Sequence, residues 1–248
     1  MSALLVVLVL LGGWEGYARM SGIQEFVLPA PSAIATALVD DRGLLWSNFT
    51  ITAGEIAAGI GAALALGLAC AVALHFSAAL RGGLYPLLVG SQTVPIPIVA
   101  PLLVVWFGFG LAPKIAIIAL VCFFPIVVPT LDALGRVDPD LRKLMRSFGS
   151  TRWQTFRIVE APAALPGLFT GAKLSVAIAT IAAVLAEQSG SENGLGRLFL
   201  QALPQFETPR AYAAVAVLSG FAVLLFWLLG VAERRLLPWS HQPRGTAP

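Results

Sequence analysis

Residues able to do chemistry are scarce in this chain, and they form no convergent catalytic set. The two histidines, His75 and His241, have no Ser/Asp or Glu company of the kind a convergent catalytic or metal-binding set needs. Cys70 and Cys122 each lie inside an apolar run and read as small buried residues, with no disulfide framework or metal site implied. No G-x-x-x-x-G-K-S/T phosphate loop occurs, so the chain is not expected to hydrolyse ATP. What remains are ionisable side chains within or at the ends of apolar runs: Glu15, Glu55, His75, Asp132, Lys173 and Glu187. In a membrane such residues are functional candidates by default. A structural role is favoured for Glu15, His75 and Asp132, which lie near span ends where reaching the interface is easy. No Asp/Glu/His series runs through the spans, which argues against a proton-driven pump. Gln92, between Ser91 and Thr93, stands just before Pro95, Pro97 and Pro101. A polar cluster beside kinked backbone suits a solute path, and suits a helix–helix hydrogen bond equally well.

The segment 135–166 carries the densest charge. Asp138-Pro139 reads as an N-cap followed by proline in the first helical position. Leu141, Leu144, Met145 and Phe148 then form one apolar stripe at i, i+3, i+4 and i+7. Gly149 reads as the helix stop, and Ser150 as the cap of a second short helix carrying Trp153, Phe156 and Val159. Pro162 and Pro166 are expected to end this unit. Arg142, Lys143, Arg146, Arg152 and Arg157 make the remaining surface basic. The unit is therefore a helix–Gly turn–helix knob. It fits either a bed in the membrane interface, with its arginines on anionic lipid, or a groove on a partner protein.

These groups have to be positioned by membrane helices. Of 248 residues, 58% are hydrophobic and 12% charged, against about 25% charged in soluble domains. That excludes a soluble enzyme, a disordered chain and a nucleic-acid-binding domain, and a net charge of +3 requires no polyanion. The expected fold is all-α, one transmembrane domain over 1–248 with six spans near 3–18, 50–75, 85–107, 113–134, 167–187 and 211–232. A secretory signal peptide is the competing reading of the first run. It is disfavoured because no positive charge precedes it and no A-x-A site follows. Lysine and arginine concentrate in Arg81, segment 135–166 and the C-terminal Arg234, Arg235 and Arg244, which makes that side, with both termini, cytoplasmic. Glu55 and Glu187 then sit at the outer ends of their helices, as candidates for a pathway mouth. In the second span Gly59, Ala63, Gly67 and Ala71 form a small-residue ridge, read chiefly as intrachain packing. Proline recurs in the third span and again, as Pro125 and Pro129, in the fourth, so these helices are expected to be kinked and central.

The loop around Gly149 resembles the E-A-A-x3-G-x9-I-x-L-P loop of inner-membrane permeases in binding-protein-dependent ABC importers. Val159 stands at the Ile position and Ala161-Pro162 at Leu-Pro, while Lys143-Leu144-Met145 replaces Glu-Ala-Ala. Leu28-Pro29-Ala30-Pro31-Ser32 is similar to the family's L-P-x-P-S segment. Gln92-Thr93-Val94-Pro95, Ala100-Pro101-Leu102, Trp106-Phe107-Gly108-Phe109-Gly110, Ala186-Glu187, Gly194-Leu195-Gly196 and the tail from Glu233 to Trp239 resemble one branch. It is the nitrate/sulfonate/taurine branch, which also includes permeases for thiamin pyrimidine precursors and riboflavin. The family's usual basic N-terminal tail is missing before the first span, which puts the start at Met1 in question. The resemblance implies a bacterial inner-membrane transport subunit, not an enzyme, working by alternating access. It implies two permease copies, two ABC ATPase subunits that hold ATP and Mg, and an extracytoplasmic solute-binding protein docking on a surface that includes 188–210. In that frame Arg146, Phe148, Gly149, Ser150, Arg152, Trp153, Val159 and Pro162 form the ATPase-coupling loop. Gln92, Thr93, Pro95, Pro97, Glu55 and Glu187 are candidates for the pathway. The wording of Gln92–Pro95 and Val159–Pro162 leans toward the pyrimidine-precursor or vitamin group. A secondary transporter working without an ATPase is the alternative. It would be expected to show paired repeats with interrupted helices in both halves, which the sequence does not.

Overall fold

A computed structural model describes residues 3–241, and side chains within 5–239; Arg244 lies outside the described residues. Every regular element among them is helical: α1 Ala3–Met20, α2 Pro31–Asp40, α3 Arg42–Phe76, α4 Ala78–Ser91, α5 Ile96–Phe107, α6 Leu111–Gly135, α7 Pro139–Ser147, α8 Arg152–Thr155, α9 Ala161–Gly190, α10 Leu195–Ala202 and α11 Thr208–Leu236. Among the described residues, four helices are long and apolar enough to cross a membrane, α3, α6, α11 and the unit Arg152–Gly190 that joins α8 to α9, or five if the bent pair of α4 and α5 is taken as one span. Glu15 in α1 pairs with Arg19 and accepts hydrogen bonds from Ser32 N–H and Oγ, tying α1 to the start of α2.

The expected span 85–107 is not one helix. α4 and α5 meet at 103° across residues 92–95. The cause is local: Pro95 has an extended backbone (φ −67°, ψ 117°) and, with Pro97, withholds two amide donors where a helix would have to continue.

α6 is the centre of the bundle, packed between α3 and α9. The small-residue ridge of α3 faces it: Gly59, Ala63, Gly67 and Ala71 are all buried, and Gly59 lies against Ile118, Gly67 against Ile126. On the other side α9 approaches the prolines of α6. Pro129 leaves the Pro125 carbonyl without its helical donor, and Gly171 packs directly on that carbonyl. One turn away, a β-carbon at Gly167 would stand 2.6 Å from Pro129 O. Ser175 Oγ donates to Cys122 O at 3.2 Å in the same interface. The backbone beside Pro125 and Pro129 thus faces protein, where a bilayer interior tolerates interrupted helical bonding.

Candidate functional site

The basic knob folds as a hairpin. Asp138 Oδ1 accepts from Asp140 N–H at 2.8 Å, with Pro139 in the first turn of α7. The chain reverses at Gly149, whose φ of +76° lies in the left-handed region that glycine enters without strain. The cap of the next helix is Thr151, not Ser150. Thr151 Oγ1 accepts from Gln154 N–H (3.2 Å) while Thr151 N–H donates to Gln154 Oε1 (2.8 Å), a reciprocal capping box. Ser150 instead closes the turn, donating to Met145 O at 2.6 Å and lying 3.0 Å from Thr155 Oγ1. Phe148 at the tip is 76% exposed and Trp153 is 59% exposed, stacked on Phe156 at 5.3 Å between ring centres. Arg146 and Arg152 lie on the surface beside them.

Pro162 and Pro166 do not end this unit, contrary to expectation. From Arg152 to Gly190 the chain is one continuous 39-residue helix, with a π-helical turn at Phe156–Glu160. Pro162 has no N–H to offer Ile158; in place of the regular pattern, Ala161 N–H bonds back five residues to Phe156 O. Val159 and Pro162 are half-buried in this passage. At about 1.5 Å per residue the unit runs about 58 Å, well beyond a 30 Å hydrocarbon core. The second arm of the hairpin is therefore continuous with a helix long enough to cross a membrane.

A buried ionic knot fastens its base. Glu160 Oε2 lies 2.8 Å from His75 Nε2 at the end of α3, and Glu160 Oε1 lies 2.7 Å from Arg142 Nε. Arg142 Nη2 also donates to Leu134 O (2.7 Å), at the end of α6. Arg152 donates to His75 O at 3.3 Å and covers the Phe76 ring. Glu160 was not singled out from the sequence. The available signal was its isolation, the lone acid between Asp140 and Glu187 in a basic stretch.

At the other end of the bundle, Glu55 and Glu187 do not open onto a mouth. They are 1% and 0% exposed. Lys114 Nζ donates to Glu55 Oε1 and to Ser191 Oγ, both at 2.6 Å. Glu187 Oε1 accepts from Thr52 Oγ1 at 2.6 Å, and Glu187 Oε2 from Arg197 N–H at 3.0 Å, in the first turn of α10. Asn48 accepts from Gly194 N–H and Thr52 from Leu195 N–H. Asn48, Thr52 and Glu55 share one face of α3 and lock α6, α9 and α10 to it. Gly194 and Gly196 flank the Glu187 carboxylate so closely that side chains there would strike it. The pairing of Ala186-Glu187 with Gly194-Leu195-Gly196 is thus a carboxylate seated at a helix start, favoured by the free N–H groups and the dipole.

Gln92, Thr93, Pro95 and Pro97 meet at the α4/α5 bend. Thr93 and Ser91 hydroxyls are committed to Gly90 O and Leu88 O. The Gln92 side chain has no hydrogen-bond partner among the described residues and borders a cavity of about 210 Å³ with Val94, Val99 and Val121. Val121 is the residue whose carbonyl Pro125 leaves without a helical donor.

Long apolar helices, one broken in its middle, around a protruding basic hairpin make up the architecture of a membrane permease subunit. The chain belongs to the family of binding-protein-dependent transport system inner membrane components, whose pattern matches residues 63–238. It falls in the branch that holds sulfonate, taurine, pyrimidine-precursor and riboflavin permeases. It is 34% identical over 239 residues to the formylaminopyrimidine transport permease protein ThiX of Halalkalibacterium halodurans, covering 96% of this chain and 95% of that one. It is 35% identical to the riboflavin transport system permease protein RibX of Chloroflexus aurantiacus, covering 94% and 88%. The fold also matches a chain of the MetNI methionine ABC transporter in inward-facing conformations, with a TM-score of 0.67, 22% identity, and coverage of 82% of this chain and 99% of that one.

Proposed function

We propose that this chain is the translocating subunit of an ATP-driven importer for a neutral, heteroaromatic vitamin or vitamin precursor of the formylaminopyrimidine or riboflavin type. Two copies enclose the path, two ATPase subunits grip the hairpin around Gly149, and an extracytoplasmic binding protein delivers solute to the opposite face, which includes 188–210. The hairpin side and both termini face the cytoplasm, following the excess of arginine there. The observation that carries the coupling is the continuous helix from Arg152 to Gly190, bound at its base through Glu160 to His75 of α3 and to Arg142 of α7, which in turn donates to Leu134 O of α6. A push on Phe148, Ser150 or Trp153 is passed to the spans as a rigid-body motion.

Charge favours the neutral substrate. Both lysines near the spans are already paired, Lys114 with Glu55 and Lys173 with Glu233. A sulfonate or nitrate would meet no free lysine there, and the Gln92 amide suits a polar heterocycle instead. The glutamine also has the company of Thr93, Pro95 and Pro97 at a break in the backbone, where a solute can approach main-chain groups. Proteoliposomes containing the chain, its ATPase and its binding protein are expected to accumulate radiolabelled formylaminopyrimidine or riboflavin only with ATP inside the ATPase compartment. Taurine is expected not to compete. Accumulation driven by an ion gradient without the ATPase would instead identify a secondary transporter.

A further inference from the structure

Behind the hairpin lies a cavity of about 500 Å³ lined chiefly by arginine. Arg81 from α4, Arg142 and Arg146 from α7, and Arg152 from α8 line it, with Glu160 as the one carboxylate. Both Glu160 oxygens are taken, by His75 and Arg142. Arg152 is engaged with His75 O and the Phe76 ring. The Ser150 and Thr155 hydroxyls are spent within the turn. The Arg81 and Arg146 guanidinium groups have no ion-pair or hydrogen-bond partner among the described residues, and each is exposed. Four guanidinium groups share one carboxylate, a net excess of positive charge, and an anion between them lowers their mutual repulsion.

The surroundings select the kind of anion. On α4, Leu80, Leu84 and Leu87 fall at i, i+4 and i+7 and form an exposed apolar strip beside Arg81. No α4 residue is fully buried, and the helix meets the core through Tyr85 and Leu88. Phe76, Trp153 and Phe156 form an aromatic cluster beside the cavity, at the end of a long apolar helix where such rings mark the membrane interface. A free phosphate would fill the basic cavity and leave the strip bare; a phospholipid has a charge and an apolar tail in that same arrangement. Basic pockets between membrane helices are the usual form of such headgroup sites.

We propose that this cavity holds the phosphate of an anionic membrane lipid, with Arg81 and Arg146 as its free donors and the α4 leucines along its acyl chains. The lipid bridges α4 to the hairpin. Only the choice of leaflet rests on the orientation proposed above. Binding is measured without ATPase or solute, so it can fail while the transport reading stands, or the reverse.

The test uses the purified full chain in neutral detergent, titrated separately with dioleoylphosphatidylglycerol, dioleoylphosphatidylcholine and inorganic phosphate. Native mass spectrometry reads lipid retention and fluorescence-detected gel filtration reads thermal stability. The expected result is saturable retention and stabilisation by phosphatidylglycerol only. Arg81→Gln, a surface change, weakens half-saturation severalfold, and Arg81→Gln with Arg146→Gln weakens it about tenfold or more. Arg234→Gln with Arg235→Gln, also exposed and basic, leaves it unchanged. The proposal is overturned if Arg81→Gln responds like the wild type, if phosphatidylcholine serves equally, or if inorganic phosphate alone reproduces the full stabilisation. A lipid-free dimer as the only species stabilised would also overturn it, by assigning the α4 strip to a second copy.

Discussion

Lys114 shows what a single charge does in this molecule. It is buried to 8% exposure, and its ammonium satisfies Glu55 and Ser191 together. Removing one member of a buried pair leaves the other charge uncompensated, a loss of about 3–5 kcal/mol, whereas removing both is far milder. Lys114→Met is therefore expected to lower the melting temperature of the purified protein sharply. Glu55→Leu in the same chain should restore most of it, and a double-variant cycle that proved additive would refute the pairing. Gly194 gives a second residue-scale prediction. Its φ of +126° and the adjoining Glu187 carboxylate both exclude a side chain. Gly194→Ala should cost about 1–3 kcal/mol from backbone strain alone, read as a fall in melting temperature, while Gly61→Ala in open space should not. These two ends of the lock were not legible in advance. Glu187 and Thr52 lie 135 positions apart, and Lys114 and Glu55 lie 59 apart. Composition marks such residues as unusual in a span. It does not say whether they face water or each other, which is why a pathway mouth was expected where a buried lock stands.

Helices carry the local signals further. Asp138-Pro139 and Gly149 are short-range chemistry, so the hairpin could be read directly from the chain, apart from a one-residue slip of the cap from Ser150 to Thr151. The proline cluster announced a kink, but the split of 103° follows from Pro95 taking an extended backbone, a conformation that the proline spacing alone does not specify. Pro162 misled for a related reason. A missing N–H ends a helix only when nothing replaces the lost bond, and here Ala161 N–H reaches back to Phe156 O. Continuity from hairpin to membrane is the element-scale claim, and it is directly testable. Two glycines inserted between Glu160 and Ala161 should leave co-purification of the ATPase intact while abolishing solute accumulation. Full accumulation in that variant would show that the joint need not be rigid. The α6–α9 contact gives a further expectation. Gly171→Leu places a side chain on the Pro125 carbonyl and should sharply reduce the yield of folded protein on gel filtration.

Taken whole, the molecule is braced at both ends: a knot of His75, Arg142 and Glu160 under the hairpin, and the Glu55–Lys114 and Glu187–Thr52 pairs at the far end. Between them α3, α6 and α9 pack against one another; under the proposed importer role, the freedom that alternating access requires falls to the α4/α5 bend and to a second copy. The measurement closest to this account is the ratio of solute accumulated to ATP hydrolysed in proteoliposomes, for wild type and for Gly149→Trp. The turn at Gly149 has open space around it but a backbone only glycine adopts freely, so the variant should insert normally and deform only the hairpin. ATP hydrolysis that continues while accumulation falls to the leak rate is the predicted result. Unchanged accumulation per ATP would contradict it.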